Sequence, residues 1–110
     1  MKVSPEQKHD REREMTPALI YALNHPVRRQ ILRLLSEPGV EASPSDMSKS
    51  TSASLSALSF HAQVLNELGI TRGTRTQQVR GAVEHFYASN VSGNALVGAI
   101  LLETRADDRP

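Results

Sequence analysis

The sequence has no cysteine, no tryptophan and few other aromatic residues. With no Cys in 110 residues, a disulfide framework, a thiolate metal site and a cysteine nucleophile are all excluded. Two Phe and two Tyr leave the core to Leu, Ile, Val and Ala, and a core of that kind in so short a chain is marginal. We therefore expect one domain that gains stability by pairing with a second copy.

Long hydrophobic runs are also missing. The longest strongly apolar stretch, residues 95–102, is far below the roughly 20 residues that a membrane-spanning helix needs. The charged N-terminus is unlike a secretory signal. We expect a cytoplasmic protein without a membrane partner.

Net charge is only +1, so the distribution of charge carries more information than its sum. From residue 47 to residue 82 the one acidic residue is Glu67, and the basic residues are Lys49, Arg72, Arg75 and Arg80. This middle region is positively charged, as a nucleic-acid partner requires.

Three segments are predicted. Residues 1–15 alternate acids and bases without an apolar period, which is typical of a disordered arm. Residues 16–104 carry the periodic patterns of one domain, and residues 105–110 are expected to be a flexible tail.

Two helices are predicted at the start of the domain. Thr16 followed by Pro17 is a cap and first-turn pair, which predicts a helix over residues 17–23. A second helix begins at Pro26, with an apolar face of Val27, Ile31, Leu34 and Leu35. Three arginines of this helix are expected to face outward: Arg28, Arg29 and Arg33.

Two further helices follow. Ser43, Pro44 and Asp46 form a variant of the capping box and predict a short helix ending near Lys49. A fourth helix, about residues 53–68, has an apolar stripe of Leu55, Leu58, Ala62 and Leu65 and a Gly69 C-cap.

Two strands and a last helix complete the domain. Residues 70–77 and 80–88 predict a β-hairpin that turns around Gln78 and Val79. Residues 91–104, capped by Asn90 or Ser92, predict a helix that is apolar nearly all round. The order α-α-α-α-β-β-α, mainly α with a β-hairpin wing, is that of a winged helix-turn-helix.

The fourth helix is the candidate recognition helix. Its outward face has no carboxylate near the expected DNA and offers hydrogen-bonding groups from Ser54, Ser56, Ser59 and Gln63, of which Gln63 can pair with adenine. Phe60 lies on the same face, where it would contact thymine methyls or sugar. The alternative is that Phe60 folds back under the wing into the core.

The hairpin is the candidate wing. The side chains assigned to DNA there are Arg72, Arg75, Gln77, Gln78 and Arg80, which suit contact with phosphates or the minor groove. The alternative is a hairpin whose side chains contact only solvent. In the last helix, Leu96, Val97, Ile100 and Leu101 cannot all be buried in one small domain, so they are assigned to a dimer interface, where Gly98 would permit close approach.

Three stretches resemble the ArsR type of bacterial regulator: "LNHPVRRQILRLL" (residues 23–35), "LSFHAQVLNELGIT" (58–71) and "QVRGAVEHFYAS" (78–89). The resemblance implies that Ser59, Phe60 and Gln63 lie at duplex DNA and that the first helix joins the last in the dimer, through Leu19 and Ile20. Ala62 stands where a Leu is usual, and Gln63 where a basic residue is frequent. The Cys, or His and acids, of the family's metal sites are absent.

Other functions have less support. No two of His9, His25, His61 and His85 have metal-ligand spacing, so we expect no metal and no cofactor. His25 is interpreted as a helix-start residue and His85 as a strand side chain, whereas His61 either packs at the helix edge or contacts DNA. The sequence shows no arrangement of residues typical of an enzyme active site. A winged-helix module for protein contact and a repressor with an unidentified effector remain open alternatives.

Overall fold

The structure, a computed structural model, describes residues 15–109. The arm predicted for residues 1–15 therefore lies, apart from Met15, outside the described residues. The elements are α1 (Pro17–Leu23), α2 (Pro26–Leu34), α3 (Pro44–Ser48), α4 (Leu55–Glu67), β1 (Thr71–Val79), β2 (Ala82–Ser89) and α5 (Ala95–Glu103). The predicted order of five helices and one hairpin is confirmed.

Side-chain caps start the first three helices. Thr16 Oγ1 accepts from the backbone N–H of Leu19 at 3.2 Å, and His25 Nδ1 accepts from that of Val27 at 3.1 Å. At α3 the Ser43 hydroxyl and the Asp46 carboxylate bond each other's backbone N–H, which is a full capping box. Each cap satisfies a backbone N–H that would otherwise be unpaired. The starts of these three helices are therefore determined by residues close to them in the sequence.

One core joins all the helices to the hairpin. Ile31 and Leu35 of the α2 segment, Leu58 and Leu65 of α4, and Met47 of α3 are almost completely buried. The wing is tied to α3 through backbone hydrogen bonds between Ala42 and Tyr87, at 2.9 and 3.0 Å. The candidate recognition helix α4 and the base of the hairpin thus share one core.

The turn of the hairpin differs from the prediction. β1 and β2 are antiparallel, with Val79 paired to Ala82, so the turn consists of Arg80 and Gly81 rather than Gln78 and Val79. Both have positive φ, 50° and 82°, as a type I′ hairpin turn requires. Gly adopts this conformation freely, whereas Arg80 does so at some cost.

The arginines of α2 also differ from the prediction, because none of them faces freely outward. Arg28 is buried, and its guanidinium donates to the backbone oxygens of Tyr21 and Ala22. Arg29 and Arg33 bind Asp108, with N–O distances of 2.7 and 2.9 Å.

Asp108 is held in place within residues 105–110, the segment predicted to be a flexible tail. Its side chain is only 1% exposed and its backbone oxygen accepts from Gln30 at 2.8 Å. The hydrogen bond from Arg29, followed by that from Arg33, lowers the pKa of the Asp108 carboxyl and keeps it ionised. Asp108 therefore packs against α2, whereas residues 105–107 and 109 are exposed.

The last helix begins later than predicted. Asn94, not Asn90 or Ser92, is its N-cap and accepts from the backbone N–H of Val97 at 3.0 Å. Asn90 instead donates to the Gly69 oxygen and accepts from Arg72. These hydrogen bonds connect the residues that follow α4 to the residue that follows β2.

Candidate nucleic-acid interface

The exposed face of α4 is polar. Burial of Leu58, Ala62 and Leu65 against the core turns Ser56, Ser59 and Gln63 to solvent. Residues 55–66 contain no acid, so these three and a half turns would not repel phosphate.

Ser54 has a different position from its predicted partners. It is the N-cap of α4, and its hydroxyl accepts from the backbone N–H of Ala57 at 3.1 Å. The side chain stabilises the start of the helix, which leaves Ser56, Ser59 and Gln63 as the side chains most available for base edges.

Phe60 is exposed, with 63% of its surface accessible. The alternative in which it folds back under the wing is therefore wrong. Its ring meets the edge of His61, with centroids 5.2 Å apart. The ring is therefore accessible to a partner outside the protomer.

A cleft of about 390 Å³ separates α4 from the wing. Ser59 and Gln63 line one wall, one helical turn apart, and Leu55 continues the same row toward the start of the helix. Val79 and Val83 of the hairpin line the opposite wall. Sequence reasoning assigned Leu55 to the buried stripe, but it is half exposed, because the first turn of α4 extends beyond the core.

The wing carries two differently placed kinds of arginine. Arg72 and Arg80 are exposed; Arg72 donates to the neutral oxygens of Ser89 and Asn90, so its charge is not cancelled. Gln77 and Gln78 are exposed beside them.

Arg75 is engaged within the protomer. Its Nε lies 2.5 Å from Glu41 Oε1 and its guanidinium lies 3.7 Å from the centroid of Phe86. The hydrogen bonds from Arg75 and Thr74 lower the pKa of Glu41, which keeps the counter-charge in place. Sequence reasoning missed Glu41 because it lies 34 residues earlier, in a loop without a motif.

His25 and His61 take structural positions, whereas His9 lies outside the described residues. His61 packs at the helix edge, 4.3 Å from the ring of His25, and its Nδ1 is 3.4 Å from Arg28 Nη1. Burial, followed by nearby positive charge, lowers the pKa of both histidines. His85 is exposed on β2. Among residues 15–109 no three His, Asp or Glu side chains are grouped so that they could hold a metal ion.

The residues predicted for a dimer interface are divided by the fold. Leu19, Val97 and Leu101 are buried in the core of the protomer, so they offer little surface to a second chain. Leu96 and Ile100 are half-buried, and Ile20 is 55% exposed. Sequence reasoning missed Leu102, which is 73% exposed because the buried stripe of α5 runs through Val97 and Leu101.

A helix-turn-helix followed by an antiparallel hairpin defines a winged helix-turn-helix protein. Within the part of the chain that the structure describes, no helix is long and apolar enough to cross a membrane.

Comparisons with known proteins show which family part of the chain matches. Residues 25–72 match the family model described as "Bacterial regulatory protein, arsR family". The structure is similar to the crystal structure of NolR from Sinorhizobium fredii, with a TM-score of 0.53, 25% identity and coverage of 100% of this chain and 99% of that one. No curated protein matches the sequence.

A second crystal structure, described as that of an ArsR family transcriptional regulator, has a TM-score of 0.52 and 24% identity over 96% of this chain and 94% of that one. It supports the fold. Residues 25–72 of the chain therefore match the ArsR-family domain, and the resemblance seen in the sequence is confirmed.

Proposed function

We propose that the protein is a homodimeric, sequence-specific DNA-binding regulator that represses transcription by occupying its operator. The observation that carries this proposal is the exposed face of α4, which has no acid over residues 55–66, beside the uncancelled arginines of the wing. A helix of this kind enters the major groove, and a dimer places two such helices on neighbouring turns of the duplex.

The two elements have different tasks in this proposal. Ser56, Ser59 and Gln63 read base edges, and the Gln63 amide can form two hydrogen bonds with adenine. Phe60 contacts thymine methyls or sugar at the edge of the same face. Arg72 and Arg80 bind phosphates, which supply affinity and little sequence preference.

The dimer is proposed to form through α1 and α5. These helices pack against each other, and Ile20 and Leu102 are exposed large apolar side chains on them. Burying such side chains against a second copy stabilises the pair at about 25 cal/mol per Å² of apolar surface, which a small aliphatic core needs.

Light scattering tests the dimer. We expect twice the protomer mass at micromolar concentration and the protomer mass for Leu102→Glu. Val83→Glu, which places the same charge at an exposed valine of the wing, is the control and should keep the dimeric mass. A monomeric wild-type protein would remove this part of the proposal.

Selection from a random duplex library tests DNA binding. The bound duplexes should converge on a two-fold symmetric sequence, with affinity about 10³-fold or more above that for shuffled DNA. If the library fails to converge and no duplex binds, the apolar side chains of Leu55, Val79 and Val83 in the cleft between α4 and the wing make a protein-contact module the better interpretation.

A further inference from the structure

We propose that a second cleft, which shares no lining residue with the cleft between α4 and the wing, is an effector site for a small hydroxylated organic anion. The cleft has a volume of about 330 Å³ and lies between α2, the turn after α3 and the C-terminal residues. Its lining residues are Gln30, Arg33, Leu34, Ser50, Thr51, Arg105, Asp108 and Arg109.

The charge of this cleft favours an anion. Its lining includes three arginines and one carboxylate, and that carboxylate, Asp108, is already bound by Arg29 and Arg33. Within residues 15–109 neither Arg105 nor Arg109 forms a salt bridge. Two guanidinium groups are thus available to a carboxylate or phosphate.

A buried side-chain oxygen at the cleft indicates that the ligand also carries a hydrogen-bond donor. Gln30 Oε1 is buried and, among the described residues, has no hydrogen-bond partner, although Gln30 Nε2 is fixed by the Asp108 oxygen. A buried acceptor left without a donor costs free energy. A hydroxyl group on the anion would satisfy it, and Leu34 offers an apolar surface to the carbon skeleton.

The position of the cleft links it to DNA binding. Ser50 and Thr51 belong to the segment between α3 and α4, directly before the proposed recognition helix. An anion that contacts this turn in only one of its arrangements changes the affinity of the protein for DNA, and DNA changes the affinity for the anion by the same factor.

Malate and succinate are matched probes, since at pH 7.5 both are dianions and they differ by one hydroxyl. Calorimetry at constant ionic strength should show saturable malate binding with a dissociation constant below about 1 mM. Succinate should bind about fivefold more weakly, the loss expected for one hydrogen bond. Absence of saturable malate binding overturns the proposal.

Variants locate the site. Arg105→Gln combined with Arg109→Gln should weaken malate binding about tenfold or more, as the loss of charge-assisted hydrogen bonds predicts, whereas Arg80→Gln at the wing tip should leave it unchanged. Gln30→Met should abolish the preference for malate over succinate. A general loosening of the structure would weaken the binding of both acids equally and leave the ratio of malate to succinate affinity unchanged. If the wild type and every variant bind malate and succinate equally, the proposal is overturned.

The coupling is measured separately and rests on the proposed function. Saturating malate should change the affinity for the selected duplex at least about threefold in the wild type and leave it unchanged in the Arg105→Gln, Arg109→Gln variant. An unchanged affinity in both overturns the effector role. Because anion binding is measured without DNA, failure of DNA binding and failure of the anion site are distinguishable.

Discussion

The arginines of α2 and those of the wing look alike in the sequence but lie in opposite environments. Arg28, Arg29 and Arg33 donate to backbone oxygens and to Asp108, whereas Arg72 and Arg80 are exposed with no acidic partner in the part of the chain that is described. The first group holds the fold together, and the second is available to a polyanion. The role of an arginine is set by what surrounds it in space.

The largest expected effect comes from breaking the α2 group. Asp108→Asn removes the charge that binds two partly buried arginines, and an ion pair broken on one side costs about 3 kcal/mol. Urea denaturation should show this loss in the free energy of unfolding. The exposed neighbour provides the control, since Asp107→Asn should change stability by less than about 0.5 kcal/mol. Equal effects would mean that the α2 arginines do not depend on Asp108.

The next effect concerns sequence discrimination by α4. Gln63→Ala removes an amide that can bind adenine, so the preference for the selected duplex over shuffled DNA should fall by about 1 to 3 kcal/mol per half-site. Fluorescence anisotropy on both duplexes measures it, with Glu37→Gln in the loop after α2 as an inert control. An intact preference in Gln63→Ala would show that another side chain reads the operator.

A smaller effect separates two arginines within the wing. Arg80→Asn removes an uncancelled charge and keeps a residue that tolerates positive φ, so the slope of log affinity against log salt should shrink by about 2 per dimer. Arg75→Gln should change the slope less, because Glu41 already balances Arg75. The reverse order would show that Arg75 leaves Glu41 to bind phosphate.

The smallest effect is on pH dependence. Burial and positive charge lower the pKa of His25 and His61 in the folded protein, below the value of about 6.5 expected in the unfolded chain. The unfolded chain then binds more protons below about pH 6.5, so the free energy of unfolding falls as pH falls through that window.

Thermal melts between pH 7.5 and 5 test this effect. His25→Asn, which keeps an N-cap oxygen, combined with His61→Gln should flatten the pH dependence of the melting temperature, whereas His85→Gln should not. The same slope in all three proteins would contradict a contribution from this pair.

Local chemistry explains which parts of the fold were predictable. The caps at Thr16 and Ser43 bond residues three positions away, so the starts of α1 and α3 can be read directly from the sequence. The apolar stripe of α4 repeats with the helical period and therefore places Gln63 on the opposite face.

Long-range partners explain the errors. Arg29 and Asp108 are 79 positions apart, and no sequence pattern near either residue predicts their ion pair. The hairpin turn was misplaced because Arg80 adopts a positive φ that only Gly, Asn or Asp would have signalled. In the last helix, periodicity does not show which side of an all-apolar helix meets its own core. Exposed Leu102 was therefore missed, and buried Val97 was assigned to the predicted dimer interface.

The most direct test of the contrast between the two arginine groups is to follow the arginine side-chain N–H resonances during titration with the selected duplex. We predict that the signals of Arg72 and Arg80 shift and that those of Arg28, Arg29 and Arg33 stay in place, since the α2 group is already bonded within the protomer. Shifts concentrated in the α2 group, with the wing unchanged, would contradict the account.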